Sequence, residues 1–78
     1  MPNSIRDGPY RLFFYSSDRE ELMHVHVKRD RNVAKFWLDP VRLAQSGGFR
    51  PTELRDIERL VRTYEGRLME DWNGYFSD

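Results

Sequence analysis

From Met23 to Leu38, apolar and polar positions alternate on either side of a polar turn, Asp30-Arg31-Asn32. Two alternating segments joined by turn-forming residues predict a β-hairpin. Successive side chains of a strand point to opposite faces, so Met23, Val25 and Val27 share one face while His24, His26 and Lys28 share the other. In the returning strand, Val33 to Leu38, the residues Ala34, Phe36 and Leu38 alternate with Val33, Lys35 and Trp37. Upstream, the aromatic-rich run Tyr10 to Tyr15 predicts a first strand. Leu12 and Phe14 share one of its faces, Phe13 and Tyr15 the other. Both are apolar, so the strand is expected to be covered on both sides or to sit centrally. Asp39-Pro40 ends the hairpin, because proline cannot donate a ladder hydrogen bond. Val41 to Ala44 is expected as a short fourth strand at an edge, and Gln45 to Phe49 as a turn.

From Pro51 to about Phe76 the apolar period lengthens to that of a helix. Leu54, Ile57, Leu60, Val61, Tyr64, Leu68, Trp72 and Phe76 form one stripe. Pro51 suits a first helical position, and Glu53 suits the positive end of the helix dipole. The opposite face is charged, with Glu58 and Arg62 one turn apart. Gly66 costs about 1 kcal/mol in a helix interior, but the stripe keeps phase across it, which predicts one long helix. The architecture is therefore α+β: three or four antiparallel strands followed by a C-terminal helix covering one face of the sheet. Leu54, Ile57, Val61, Leu68 and Trp72 are expected to be buried against Leu12, Phe14, Val25, Val27 and Phe36. Residues 1–9 contain Pro2, Gly8 and Pro9 without periodicity and are expected as a flexible lead-in to a single domain over residues 10–78.

Composition narrows the class. Seventy-eight residues with no cysteine leave neither a disulfide framework nor a thiolate zinc site to stabilise so small a domain. Five Phe, four Tyr and two Trp compensate with large apolar areas. Thirteen basic residues balance thirteen acidic ones, which argues against wrapping nucleic acid by bulk attraction while leaving a local basic patch possible. No apolar run is long enough to span a membrane, and the start Met-Pro-Asn-Ser-Ile-Arg lacks the apolar core of a signal peptide, so a cytoplasmic location is expected.

The candidate chemistry lies on the face left uncovered by the helix. His24, His26, Lys28 and Lys35 are the catalytic candidates. One imidazole would act as base and one as acid on an RNA 2′-hydroxyl and leaving oxygen, with cations steadying the phosphate. The same His-x-His spacing also suits a metal pair, with Asp18, Glu20, Glu21, Asp30 or Asp39 to supply further ligands. The plainest reading is interfacial: Tyr15, His24, His26 and Trp37 contact a protein partner or a second copy of the chain. That reading is adopted, with no cofactor and no metal expected, and with RNA as a further partner class.

The runs His24-Val-His-Val27, Ala34-Lys-Phe-Trp-Leu-Asp-Pro-Val41 and Glu53-Leu-Arg-Asp-Ile-Glu-Arg-Leu-Val61, with the tail Leu68, Trp72, Tyr75 and Phe76, resemble the bacterial domain-of-unknown-function family 4160. The resemblance extends over roughly Gly8 to Phe76, with Met23 standing where members often carry a proline. It brings no established activity. It implies a gene pair of toxin–antitoxin type, because members frequently sit beside another small protein. The function expected is an interaction module from such a pair; the alternative is a metal-independent endoribonuclease toxin using His24 and His26.

Overall fold

The computed structural model describes residues 5–76. Five antiparallel strands follow one another in chain order across a single sheet: β1 (Ile5–Asp7), β2 (Tyr10–Phe13), β3 (His24–Arg29), β4 (Asn32–Trp37) and β5 (Arg42–Gln45). A short 3-10 turn over Ser16–Glu20 joins β2 to β3, and the helix α1 (Pro51–Phe76) ends the described chain. The fold is α+β as expected, with five strands instead of three or four. Among the described residues no helix is long and apolar enough to cross a membrane.

The extra strand comes from the segment expected as a lead-in. Gly8, at φ 58°, turns the chain so that Ile5 pairs with Leu12 and Asp7 with Tyr10. Ile5 is buried in the main core. Residues 1–4, the rest of that segment, lie outside the described residues. The central hairpin turns through Asp30, also at positive φ, a conformation that Asp tolerates better than most residues. The last strand runs Arg42–Gln45, one residue later than expected, and pairs with β4 across a register irregularity between Lys35 and Phe36.

One apolar layer fills the space between sheet and helix. Leu12, Phe14, Val25, Val27, Ala34, Phe36 and Leu38 from the sheet side meet Ile57, Val61, Leu68 and Trp72 in a single buried cluster. Leu54, which was expected in the buried set, is half-buried at its margin, as are Leu60, Tyr64, Met69 and Phe76. The helix is unbroken through Gly66.

Polar clips set the helix on the sheet. Glu53 receives the Arg29 guanidinium through Nε at 2.6 Å and Nη2 at 2.9 Å, and the Tyr10 hydroxyl at 2.8 Å. Further along, Tyr64 donates to Asp7 at 2.6 Å. The forked pairing joins the helix start to β2 and β3 and fixes its register. Arg29, and then Tyr10, hold the Glu53 carboxyl below the usual glutamate range.

Replacing Ile57 or Leu68 by Ala should cost about 2–5 kcal/mol in urea denaturation, a large share of the stability of so small a domain. The lowered Glu53 pKa gives stability that is present above the ordinary glutamate pKa and is lost as pH falls through the depressed folded value. A Glu53→Gln variant should therefore show a shallower loss of stability on acidification than the wild type.

Candidate functional site

Alternation puts Arg6, Arg11, Phe13, His24, His26, Lys28, Lys35 and Trp37 on the sheet face opposite the helix. Their pairing confirms the arrangement: Arg6 lies opposite Arg11, Arg11 opposite Lys28, and Phe13 opposite His26. Across the hairpin, His24 lies opposite Trp37 and His26 opposite Lys35. The face has two unlike ends.

At the histidine end, the 3-10 turn folds over the sheet, because one acidic side chain of the polar loop points inward. Asp18 is buried. Its Oδ2 accepts the Tyr15 backbone N–H at 2.8 Å and lies 3.1 Å from His26 Nε2. Its Oδ1 lies 3.2 Å from His24 Nε2. On the far side of His24, Nδ1 lies 2.7 Å from the Leu22 carbonyl. A carbonyl can only accept, so this contact places a ring proton on Nδ1, and in the neutral ring Nε2 is then a lone pair on the side of the carboxylate. That Nε2 is buried and makes no hydrogen bond, its contact with Asp18 being unsuitably aligned.

Aromatic rings enclose the cluster. His26 stacks on Phe13 with centroids 5.6 Å apart and touches Tyr15 at 4.6 Å. His24 meets Trp37 at 5.7 Å and Trp72 of the helix at 5.2 Å. Burial pushes the His26 pKa down, partly opposed by the Asp18 charge, which favours a neutral ring near pH 7. Beside it, Lys35 lies over the Trp37 ring at 4.6 Å and binds Glu21 at 2.6 Å. That hydrogen bond holds the Glu21 carboxyl below its ordinary range.

At the other end no loop among the described residues covers the sheet. Arg6, Arg11 and Lys28 stand directly opposite one another on three neighbouring strands and line a shallow cleft with Gly8, Pro9, Tyr10 and Asp30. None of the three cations has an acidic partner among the described residues. Arg11 lies over the Phe13 ring at 5.0 Å, and its Nε is buried without a hydrogen bond.

The expected site residues therefore divide. His26 and Lys35 are half-buried neighbours, whereas Lys28 stands apart with Arg11. His24, expected as a catalytic and a partner-contact residue, is 0 % exposed, its ring lying against Trp37, Trp72 and Asp18. Trp37 is half-buried with Lys35 over its ring, and Tyr15, at 45 % exposure, is the most accessible of the expected contact residues. Of the five acids considered as metal ligands, Asp18 is the one that gathers with both histidines. Arg6 and Arg11 were not among the expected site residues. Arg11 could have been placed by counting back two positions from Phe13, but Arg6 lay in the segment expected as a lead-in.

Replacing Asp18 by Ala removes the acceptor of the Tyr15 N–H and of His26. In the presence of EDTA it should lower stability by about 1–3 kcal/mol in urea denaturation. Glu70→Ala, on the exposed face of the helix, should stay within about 0.5 kcal/mol of the wild type.

Comparison with known proteins places the sequence without giving it an activity. Neither the curated proteins nor the solved structures contain a significant match. Residues 10–73, most of the chain, match the profile of the family described as Domain of unknown function (DUF4160), and the chain belongs to that family.

Proposed function

We propose that the chain is an interaction module that binds an acidic partner protein through the uncovered end of its second sheet face, as one component of a toxin–antitoxin-like gene pair. The observation that carries this reading is the row Arg6, Arg11 and Lys28, aligned across β1, β2 and β3 with no acidic partner among the described residues. Like charges directly opposite one another destabilise a sheet. An acidic surface laid on the row removes that repulsion, so binding draws on a cost already present in the free protein. Adjacent strands are about 4.8 Å apart, which gives the row a footprint of roughly 10 Å, suited to a few carboxylates.

Two competing partners fit less well. A second copy meeting this one face to face would oppose cation to cation. A nucleic acid gains little from a chain of zero net charge, and the tryptophan on this face already carries Lys35 over its ring. The ribonuclease reading needs two accessible imidazoles, and His24 has no accessible surface.

Co-expression with the product of the adjacent gene, followed by titration of the separated components, tests the proposal. Arg11→Glu and Lys28→Glu should each weaken the complex about tenfold or more while leaving the circular dichroism spectrum unchanged. Wild-type affinity should fall as salt is raised. A complex indifferent to both reversals and to salt would refute the assignment, as would a complex whose co-purifying component is RNA.

A further inference from the structure

We propose that Asp18, His24 and His26 form a binding site for a divalent transition metal, with zinc the ion best suited to it. This inference stands independently of the cationic row. Its first support is geometric. One donor atom from each of the three residues lies within 4.8 Å of the other two. His24 Nε2 is 3.2 Å from Asp18 Oδ1, and His26 Nε2 is 3.1 Å from Asp18 Oδ2. Ligands held about 2.0–2.2 Å from a tetrahedral zinc ion are themselves roughly 3.3–3.6 Å apart. Both imidazole–carboxylate distances are close to that spacing, each to a different oxygen of Asp18, and the two imidazoles are within 4.8 Å of each other.

The second support is the unpartnered His24 nitrogen. A fully buried, neutral imidazole with its Nδ1 proton committed to the Leu22 carbonyl presents an unused lone pair at Nε2, 3.2 Å from the nearer carboxylate oxygen. Left as it is, that lone pair faces negative oxygen and forfeits a hydrogen bond in a buried place. Insertion of a cation converts the same contact into two coordinate bonds. A hydrogen bond from the second ring nitrogen to a backbone carbonyl is also the arrangement that orients ligating histidines. His26 joins by moving its ring proton from Nε2 to Nδ1, a change of tautomer with no change of charge.

The donor set selects the ion. Two imidazoles and one carboxylate suit zinc and its transition-metal neighbours, whereas calcium and magnesium require shells built mainly of oxygen. Lys35 is the cation facing His26 across the hairpin, and its charge is offset by Glu21 at 2.6 Å. The rings of Phe13, Tyr15, Trp37 and Trp72 give the ion an apolar surround, and the partial exposure of His26 leaves one side for a fourth ligand such as water. Bound metal would tie the 3-10 turn to β3.

The experiment uses the full chain without a histidine tag, stripped with EDTA and dialysed. Titration with zinc chloride in a calorimeter should show one ion per chain with micromolar or tighter affinity, and a saturating amount should raise the melting temperature by several degrees. Magnesium and calcium should do neither. Cobalt(II) should give a visible absorption band that zinc abolishes. His24→Gln risks misfolding because the ring is in the interior, so His26→Gln and Asp18→Asn carry the test. Each should keep the native circular dichroism spectrum and weaken zinc binding about a hundredfold or more. Absence of a heat and a melting shift in the wild type would overturn the proposal. Zinc binding unchanged in both variants would overturn it equally.

Discussion

A carboxylate buried among aromatic rings is costly unless hydrogen bonds surround it, and that constraint organises the second face of this sheet. Asp18 satisfies it by turning the chain after β2 into a 3-10 turn, so that the Tyr15 N–H points back at one oxygen. The same oxygen takes His26, and the other meets His24. Loop, strand and the His26 imidazole are thereby held by one group, with His24 packed beside it and bonded to the Leu22 carbonyl. The turn lies over the histidine end of the sheet, where Asp18 finds its partners.

The first face needs no such device. There the helix buries a continuous apolar stripe on the sheet, and direction is supplied by clips at its margin, Glu53 with Arg29 and Tyr10, and Tyr64 with Asp7. Trp72 connects the two systems. It packs on Phe14 in the apolar layer and also touches His24, so the far end of the helix helps to seal the polar cluster. With one end of the second face closed in this way, the uncompensated cations of Arg6, Arg11 and Lys28 are left at the other. The charge balance of the whole sequence conceals that local excess.

Period was the legible part of the sequence. Alternation assigned Val25 and Val27 to one face and His24, His26 and Lys28 to the other, and the helical spacing of Ile57, Val61, Leu68 and Trp72 gave the layer that packs on it. Alternation assigns a side but not a depth, which is why His24 read as accessible: its burial depends on Trp72, forty-eight positions later. Strand β1 escaped notice because three residues are too few to show a period, and its turn residues Gly8 and Pro9 resemble those of an unstructured start. Asp18 was one of several acids within reach of the histidines. What distinguishes it from Glu20 and Glu21 is the turn geometry that aims it inward, and that depends on contacts with β3 which local propensity does not encode.

The neutral His24 imidazole is held with its proton on Nδ1 and a bare Nε2 beside Asp18. Long-range proton–nitrogen correlation spectra of the nitrogen-15-labelled, EDTA-treated protein at mildly alkaline pH read that state directly. His24 Nδ1 should give a pyrrole-like shift and Nε2 a pyridine-like shift. A protonated Nε2, whether in the opposite tautomer or in a doubly protonated ring, would contradict it.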